Sequence, residues 1–304
     1  MSDSYKPILD QEYAAEISQQ FKDSLNLLDE VLDYGTFLLP RAFGSSPRDV
    51  KAICLVFVQF RQFLTHLDGV VNLLKAGNCS SASLQLRSLL EIAHIMQWIL
   101  ASDTEKKIHY LYVANLRRRR QSQSMAIPGT PEAAQNAQAI SRISLKTEQL
   151  NKIKDEVKRI DEILSQPEFA SINANFQSRY QSRGFDEPWH KVYGKSIRQI
   201  SDEIGKISDY NFIYSPLSGV THGSDMWKNV IFGENISPNP IREPENIGKL
   251  AQFAVSLAIQ VYGMILREYR SGEANDNFPR KYSEWRERFL KEYSVNVTPK
   301  YTNI

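Results

Sequence analysis

The chain has 304 residues, of which 42% are hydrophobic and 24% charged, enough apolar material for one large globular domain or two small ones. A formal charge of +2 excludes a global field that would drive the protein onto nucleic acid or an anionic membrane, so any basic partner surface is local. Two cysteines, Cys54 in an apolar run and Cys79 in a turn, exclude a disulfide framework and a zinc cluster and suit a reducing cytosol.

Apolar residues recur three and four apart almost throughout, and no run alternates with period two, so the sequence predicts an all-α multihelical bundle forming a single helical domain over residues 1–304. The first helix is expected from Gln11 to Tyr34, with Ile17, Phe21, Leu25, Leu28 and Leu32 on one face and with Gly35 and Pro40 closing it. Ser46-Pro47-Arg48-Asp49 reads as a helix start, with Ser46 as N-cap and Pro47 in the first turn. The helix it opens runs to about Ala76, and its stretch from Ala52 to Val58 is apolar all round, as in a central helix. Gly77-Asn78 stops it, Ser80 or Ser81 caps the next helix to about Ala101, and Asp103 begins one that ends in Arg117-Arg118-Arg119-Arg120.

Pro128-Gly129-Thr130-Pro131 marks a loop. Beyond it, residues 131–166 read as a long amphipathic helical arm on which Leu150, Ile153, Val157, Ile160 and Leu164 form a narrow stripe. Gln166 to Glu187 is expected to be irregular with short helices, followed by a helix from Tyr193 to Ile204. Ser215-Pro216 then reads as N-cap and first helical residue of a short helix stopped by Gly223, and Ile236 to Pro244, with three prolines, as a loop. Two helices close the chain. Leu250 to Leu266 approaches a membrane span but is short and carries Gln252, Ser256 and Gln260, so it is expected to be a buried core helix in a protein with no membrane association. Residues Met1 to Lys6 lack the basic and apolar regions of a signal peptide, and a cytoplasmic location is expected.

Two polar interruptions in this apolar background carry the functional question. In the first, Arg87 and Glu91 share a helix face, with His94 one turn further along. They form either a salt bridge between packed helices or an anion site in which Glu91 orients the forked guanidinium of Arg87. In the second, Tyr210, Tyr214, Ser218 and His222 precede a glycine, and His222 at a helix C-terminus suits either a general acid or a cap for carbonyls. The four consecutive arginines either grip RNA phosphates or end a solvated helix. Glu91-x-x-His94 is half of a carboxylate di-iron motif with no second half, and no Gly-rich phosphate loop, zinc spacing or nucleophile elbow is present, so no metal and no cofactor are expected.

The succession His66-Leu67-Asp68, Leu73-Leu74, Arg87-Ser88-Leu89-Leu90-Glu91, Trp189, Ser196-Ile197-Arg198, Tyr210, Tyr214, Ser218 and His222-Gly223 resembles a bacterial all-helical family known only as a domain of unknown function, often found near defence and mobile-element genes. The resemblance covers about residues 60–225 and is loosely HEPN-like, since Arg87-x6-His94 and Arg61-x4-His66 fit the arginine-to-histidine spacing of HEPN ribonucleases, although neither arginine is followed by the Asn, Asp or His that often accompanies it. The resemblance implies a shared polar pocket on which Arg87, Glu91, Arg198, Tyr210, Tyr214, Ser218 and His222 converge in a homodimer. Two functions follow as expectations. The first is a defence-associated, metal-independent RNase-like or nucleotide-processing protein, with Arg87 and Arg198 holding phosphate in an RNA or nucleotide ligand, His222 as acid or base and His94 in support. The alternative is a non-catalytic module that senses a small anion or a partner protein.

Overall fold

The computed structural model describes residues 11–140, 145–217, 230–232, 236–238, 241–242 and 244–292. The architecture is all-α, with one short antiparallel pair of strands, β1 (Val230–Phe232) and β2 (Ile236–Pro238), in register Val230 to Pro238. That pair sits partly where the sequence predicts only loop, because three prolines in nine residues mask a strand this short. The chain divides into two compact units, residues 1–98 with 200–304 and residues 99–199.

In the first unit, α1 (Gln11–Gln20) and α2 (Lys22–Gly44) replace the single helix expected up to Tyr34. The helix passes through both residues expected to stop it. Gly35 lies inside α2 because the Tyr262 hydroxyl fills the space a side chain would take: a Cβ there would stand 2.3 Å from that oxygen. The same hydroxyl donates to the Val31 carbonyl at 2.8 Å. Pro40 lies on the exposed face, where the carbonyl it leaves unbonded can reach water.

The next helix, α3 (Val50–Lys75), is capped by Asp49, whose carboxylate accepts the Ala52 N–H at 2.8 Å. Ser46 instead finishes the preceding turn, donating to the Phe43 carbonyl while accepting the Arg48 N–H. Residues Ile53–Phe60 of α3 are a π-helix, and Cys54, Leu55, Val56 and Phe60 are fully buried, as expected of a central helix. Gly77, at φ +68, ends α3 with Asn78, and the Asn78 side chain rather than Ser80 or Ser81 caps α4 (Cys79–Ala101). The apolar helix α13 (Ile247–Tyr269) packs on α2 and α3, and two further helices, α14 (Ser271–Asn275) and α15 (Asn277–Glu292), follow it. Both α3 and α13 are long and apolar enough to cross a membrane by composition, yet half of the relevant window of α3 and 67% of that of α13 are buried within the protein, as in core helices.

Ion pairs fasten the first unit at its surface. Glu30 on α2 meets Lys281 and Arg288 of α15, and Glu273 meets Arg41, Arg270 and the Tyr34 hydroxyl.

The second unit is built on α5 (Thr104–Ser124). After the short α6 (Pro131–Gln135) and α7 (Ala137–Ile140), the stripe of α8 (Thr147–Leu164) packs on α5, with Ile160 and Leu164 buried. The segment expected to be irregular is a 17-residue helix, α9 (Pro167–Arg183), which buries Phe169, Ile172 and Phe176. Its Ser, Asn and Gln content lowers intrinsic helix propensity, and packing on α5 outweighs that deficit. The expected helix from Tyr193 to Ile204 is two short ones, α10 (Trp189–Tyr193) and α11 (Ile197–Glu203).

The arginine run that ends the expected helix lies inside α5 and is largely engaged within the unit. Arg117 pairs with Asp186 and Asn173, Arg119 with Glu156, and Arg120 with Asp161 and Glu132. These contacts fasten α5 to α8 and α9.

Candidate functional site

Helix α4 carries Arg87, Glu91, His94 and Trp98 at intervals of four, three and four, which places them in one stripe along its length. Each meets the chain between Ser201 and Tyr214, and the partners run in the opposite direction, so the contacts form an antiparallel polar seam inside the first unit. At one end, Trp98 Nε1 donates to Glu203 at 2.7 Å. In the middle, His94 Nδ1 lies 2.8 Å from the Ser201 hydroxyl, and Nε2 lies 3.7 Å from the Asp209 carboxylate without a hydrogen-bond partner. At the other end, one Arg87 nitrogen donates to the Tyr214 hydroxyl at 3.0 Å, and that hydroxyl donates to Glu91 at 3.2 Å.

The tyrosine end depends on an unusual piece of backbone. Helix α12 (207–217) contains a π-helix at Tyr210–Tyr214, in which the Ser215 N–H reaches back to the Tyr210 carbonyl. The wider turn sets the rings of Tyr210 and Tyr214 one above the other, 5.0 Å apart and inclined by 21°. Arg87 lies over the free face side of this pair, its guanidinium carbon 4.6 Å from the centre of the Tyr214 ring, within cation–π range. Ser215 and Pro216 continue this helix instead of opening one, since Ser215 has helical dihedrals.

Burial is graded along the seam. His94 and Trp98 are 1% and 3% exposed, whereas Arg87, Glu91, Tyr210 and Tyr214 are half-buried. Burial holds the His94 pKa below its ordinary 6.5, with Lys206 acting in the same direction and Asp209 opposing. Burial also raises the Tyr214 pKa, a shift that the Arg87 hydrogen bond opposes and Glu91 reinforces. The hydroxyl is therefore a neutral relay between a cation and a carboxylate.

Of the residues singled out from sequence, Arg87, Glu91, Tyr210 and Tyr214 come together. His94 lies further along the same seam, closed off from solvent. Arg198 belongs to the second unit, where it is exposed. Ser218 and His222 lie outside the described residues. His66, from the other arginine-to-histidine spacing, is held by Gln62 and Gln85. Among the described residues no group of three or more His, Cys, Asp or Glu side chains could hold a metal ion.

Sequence reasoning missed Trp98, Ser201, Glu203 and Asp209. Extending the stripe by four from His94 would have reached Trp98, whose indole N–H needs an acceptor once buried. Ser201, Glu203 and Asp209 carry no comparable signal, because their partners are more than 100 positions away.

A family profile described as a family of unknown function, DUF5677, matches residues 54–236, a span that contains the whole seam. No curated protein and no solved structure matches the chain.

Proposed function

Because the chain belongs to the DUF5677 family, whose function is unknown, its own chemistry must carry the reading, and we propose that the half-open end of the α4 seam binds a small anionic ligand of the nucleotide class. The observation that carries this is the Arg87 guanidinium set against the stacked Tyr210–Tyr214 pair. A guanidinium matches the geometry of a phosphate, and an aromatic face accepts a planar base. Glu91, through Tyr214, fixes the orientation of the cation before any ligand arrives. The burial of His94 favours binding over turnover at this end of the seam, since a group 1% exposed does not meet a ligand's phosphate. A metal-independent RNase-like activity, as the defence-associated alternative requires, would fall to His222.

Isothermal titration of the full chain with nucleoside 5′-monophosphates tests the proposal. Wild type should bind, Arg87→Met should weaken binding by about tenfold or more through loss of a charge-assisted contact, and Tyr210→Leu should weaken nucleotides more than orthophosphate. No binding by wild type, or unchanged binding by Arg87→Met, sinks it. A metal-free RNA cleavage assay runs beside it, and cleavage lost in a folded His222→Ala variant would replace the sensor reading with the nuclease one.

A further inference from the structure

Outside the seam, one charged side chain is sealed in the protein without a counter-charge. Arg242, in the segment that leads into α13, is only 9% exposed, and its Nε is closed off from solvent with no hydrogen-bond partner. Among the described residues no carboxylate pairs with it, in contrast to Arg41 with Glu273 or Arg288 with Glu30 in the same unit. An arginine does not escape burial by shedding its proton, as a lysine or histidine can, so an uncompensated guanidinium inside a protein calls for an anion.

The surroundings of Arg242 point the same way. Its Cβ lies 3.7 Å from where a side chain on Gly77 would begin, and Ile17 Cδ1 lies 2.9 Å from the same point, so the turn between α3 and α4 is a cradle that any larger residue would fill. The last carbonyls of α3 are already consumed there. Asn72 accepts the Ala76 N–H, Leu73 that of Asn78 and Leu74 that of Gly77. The 23-residue helix α4 begins two residues after Gly77 and brings the positive end of its dipole to this turn. A buried cation and a helix start therefore meet at a place where the negative helix end is satisfied by the chain's own amides.

We infer that Arg242 is the receptor of an anion site at the α3–α4 turn, taking a small oxyanion of the orthophosphate class. Burial of the guanidinium limits the ligand to a compact anion, which separates this site from the half-open tyrosine end of the seam. The competing counter-ion is a carboxylate of the same chain, of which Glu243 is nearest in sequence.

The test is thermal unfolding of the full chain in increasing orthophosphate, against chloride at matched ionic strength. Wild type should show a saturable, phosphate-specific rise in Tm. Arg242→Met should abolish that rise and, in phosphate-free buffer, melt at or above wild type, because the uncompensated charge is gone. Arg87→Met should keep the rise, so that failure at the seam and failure here are told apart. The inference is overturned if wild type shows no phosphate-specific rise, or if Arg242→Met retains it. It is also overturned if Glu243→Gln and Arg242→Met both melt well below wild type in phosphate-free buffer, since the chain then supplies its own anion. Should Arg242→Met fail to fold, Arg242→Lys decides: its lost fork must move the phosphate midpoint to higher concentration, and an unchanged midpoint rejects the site.

Discussion

The Tyr214 hydroxyl is the most exacting single atom in the seam, because it accepts from Arg87 and donates to Glu91 at once. Tyr214→Phe keeps the ring and its stacking but leaves two half-buried charged groups short of a partner. The expected cost is about 1 to 3 kcal/mol, read as a lower urea midpoint with an unchanged slope. A midpoint equal to wild type would mean that water replaces the hydroxyl without loss. His94 gives a second expectation at this scale. Burial holds its pKa below 6.5 in the folded protein, so below that pH the unfolded chain binds more protons than the native one. Its contribution to stability is complete above about pH 6.5 and is lost as pH falls beneath it. Urea unfolding between pH 7.5 and 5.5 should show a steeper decline for wild type than for His94→Gln, which keeps a polar group opposite Ser201. Parallel declines would place the pH dependence elsewhere.

Helix α2 shows how far a single element can be read from its letters. Its apolar stripe was legible, since Leu25, Leu28 and Val31 are buried as their spacing requires. Its length was not, because Gly35 and Pro40 are ordinary stop signals whose meaning here depends on a residue more than 200 positions away. The contact with Tyr262 turns Gly35 from a weak point into a crossing point. Gly35→Ala measures the difference: helix propensity alone would make the alanine more stable by about 1 kcal/mol. A Cβ 2.3 Å from the Tyr262 oxygen and 2.5 Å from Leu64 Cδ2 forces the two helices apart. Overpacking of this kind costs about 1 to 3 kcal/mol, so the variant should be less stable than wild type. A gain in denaturant midpoint would show that α13 yields without penalty. The seam divides in the same way. Its α4 half follows from spacing, whereas the choice of Ser201, Glu203 and Asp209 as partners is tertiary and leaves no local mark.

At the scale of the whole chain, the helical character was legible because three-four periodicity is strong in nearly every segment, and the exceptions are instructive. Helix α9 was hidden by polar residues of low propensity, and the β1–β2 pair by its prolines. Charge bears on behaviour rather than fold. With +2 at pH 7 and a pI near 8.3, the protein carries little net charge to keep copies apart. Light scattering at fixed protein concentration should therefore rise toward pH 8.3 and fall at pH 6. Scattering that is flat across this range would show that local charge patterns, not the net value, govern self-association.

The π-turn at Tyr210–Tyr214 has a consequence for how such chains can change length. Geometrically it is an α-helix that has accepted one surplus amino acid, so it can also give one up. Phe212 is 82% exposed and lies within it. Its removal would let the segment rewind as an ordinary helix, turning everything downstream by about 100° relative to what precedes it. Tyr214 would then face away from Arg87 in a protein that is otherwise intact. A relative that lacks this one codon should keep the bundle and lose the tyrosine end of the seam, and a Phe212-deleted protein that folds yet no longer responds to Arg87→Met would be its laboratory counterpart.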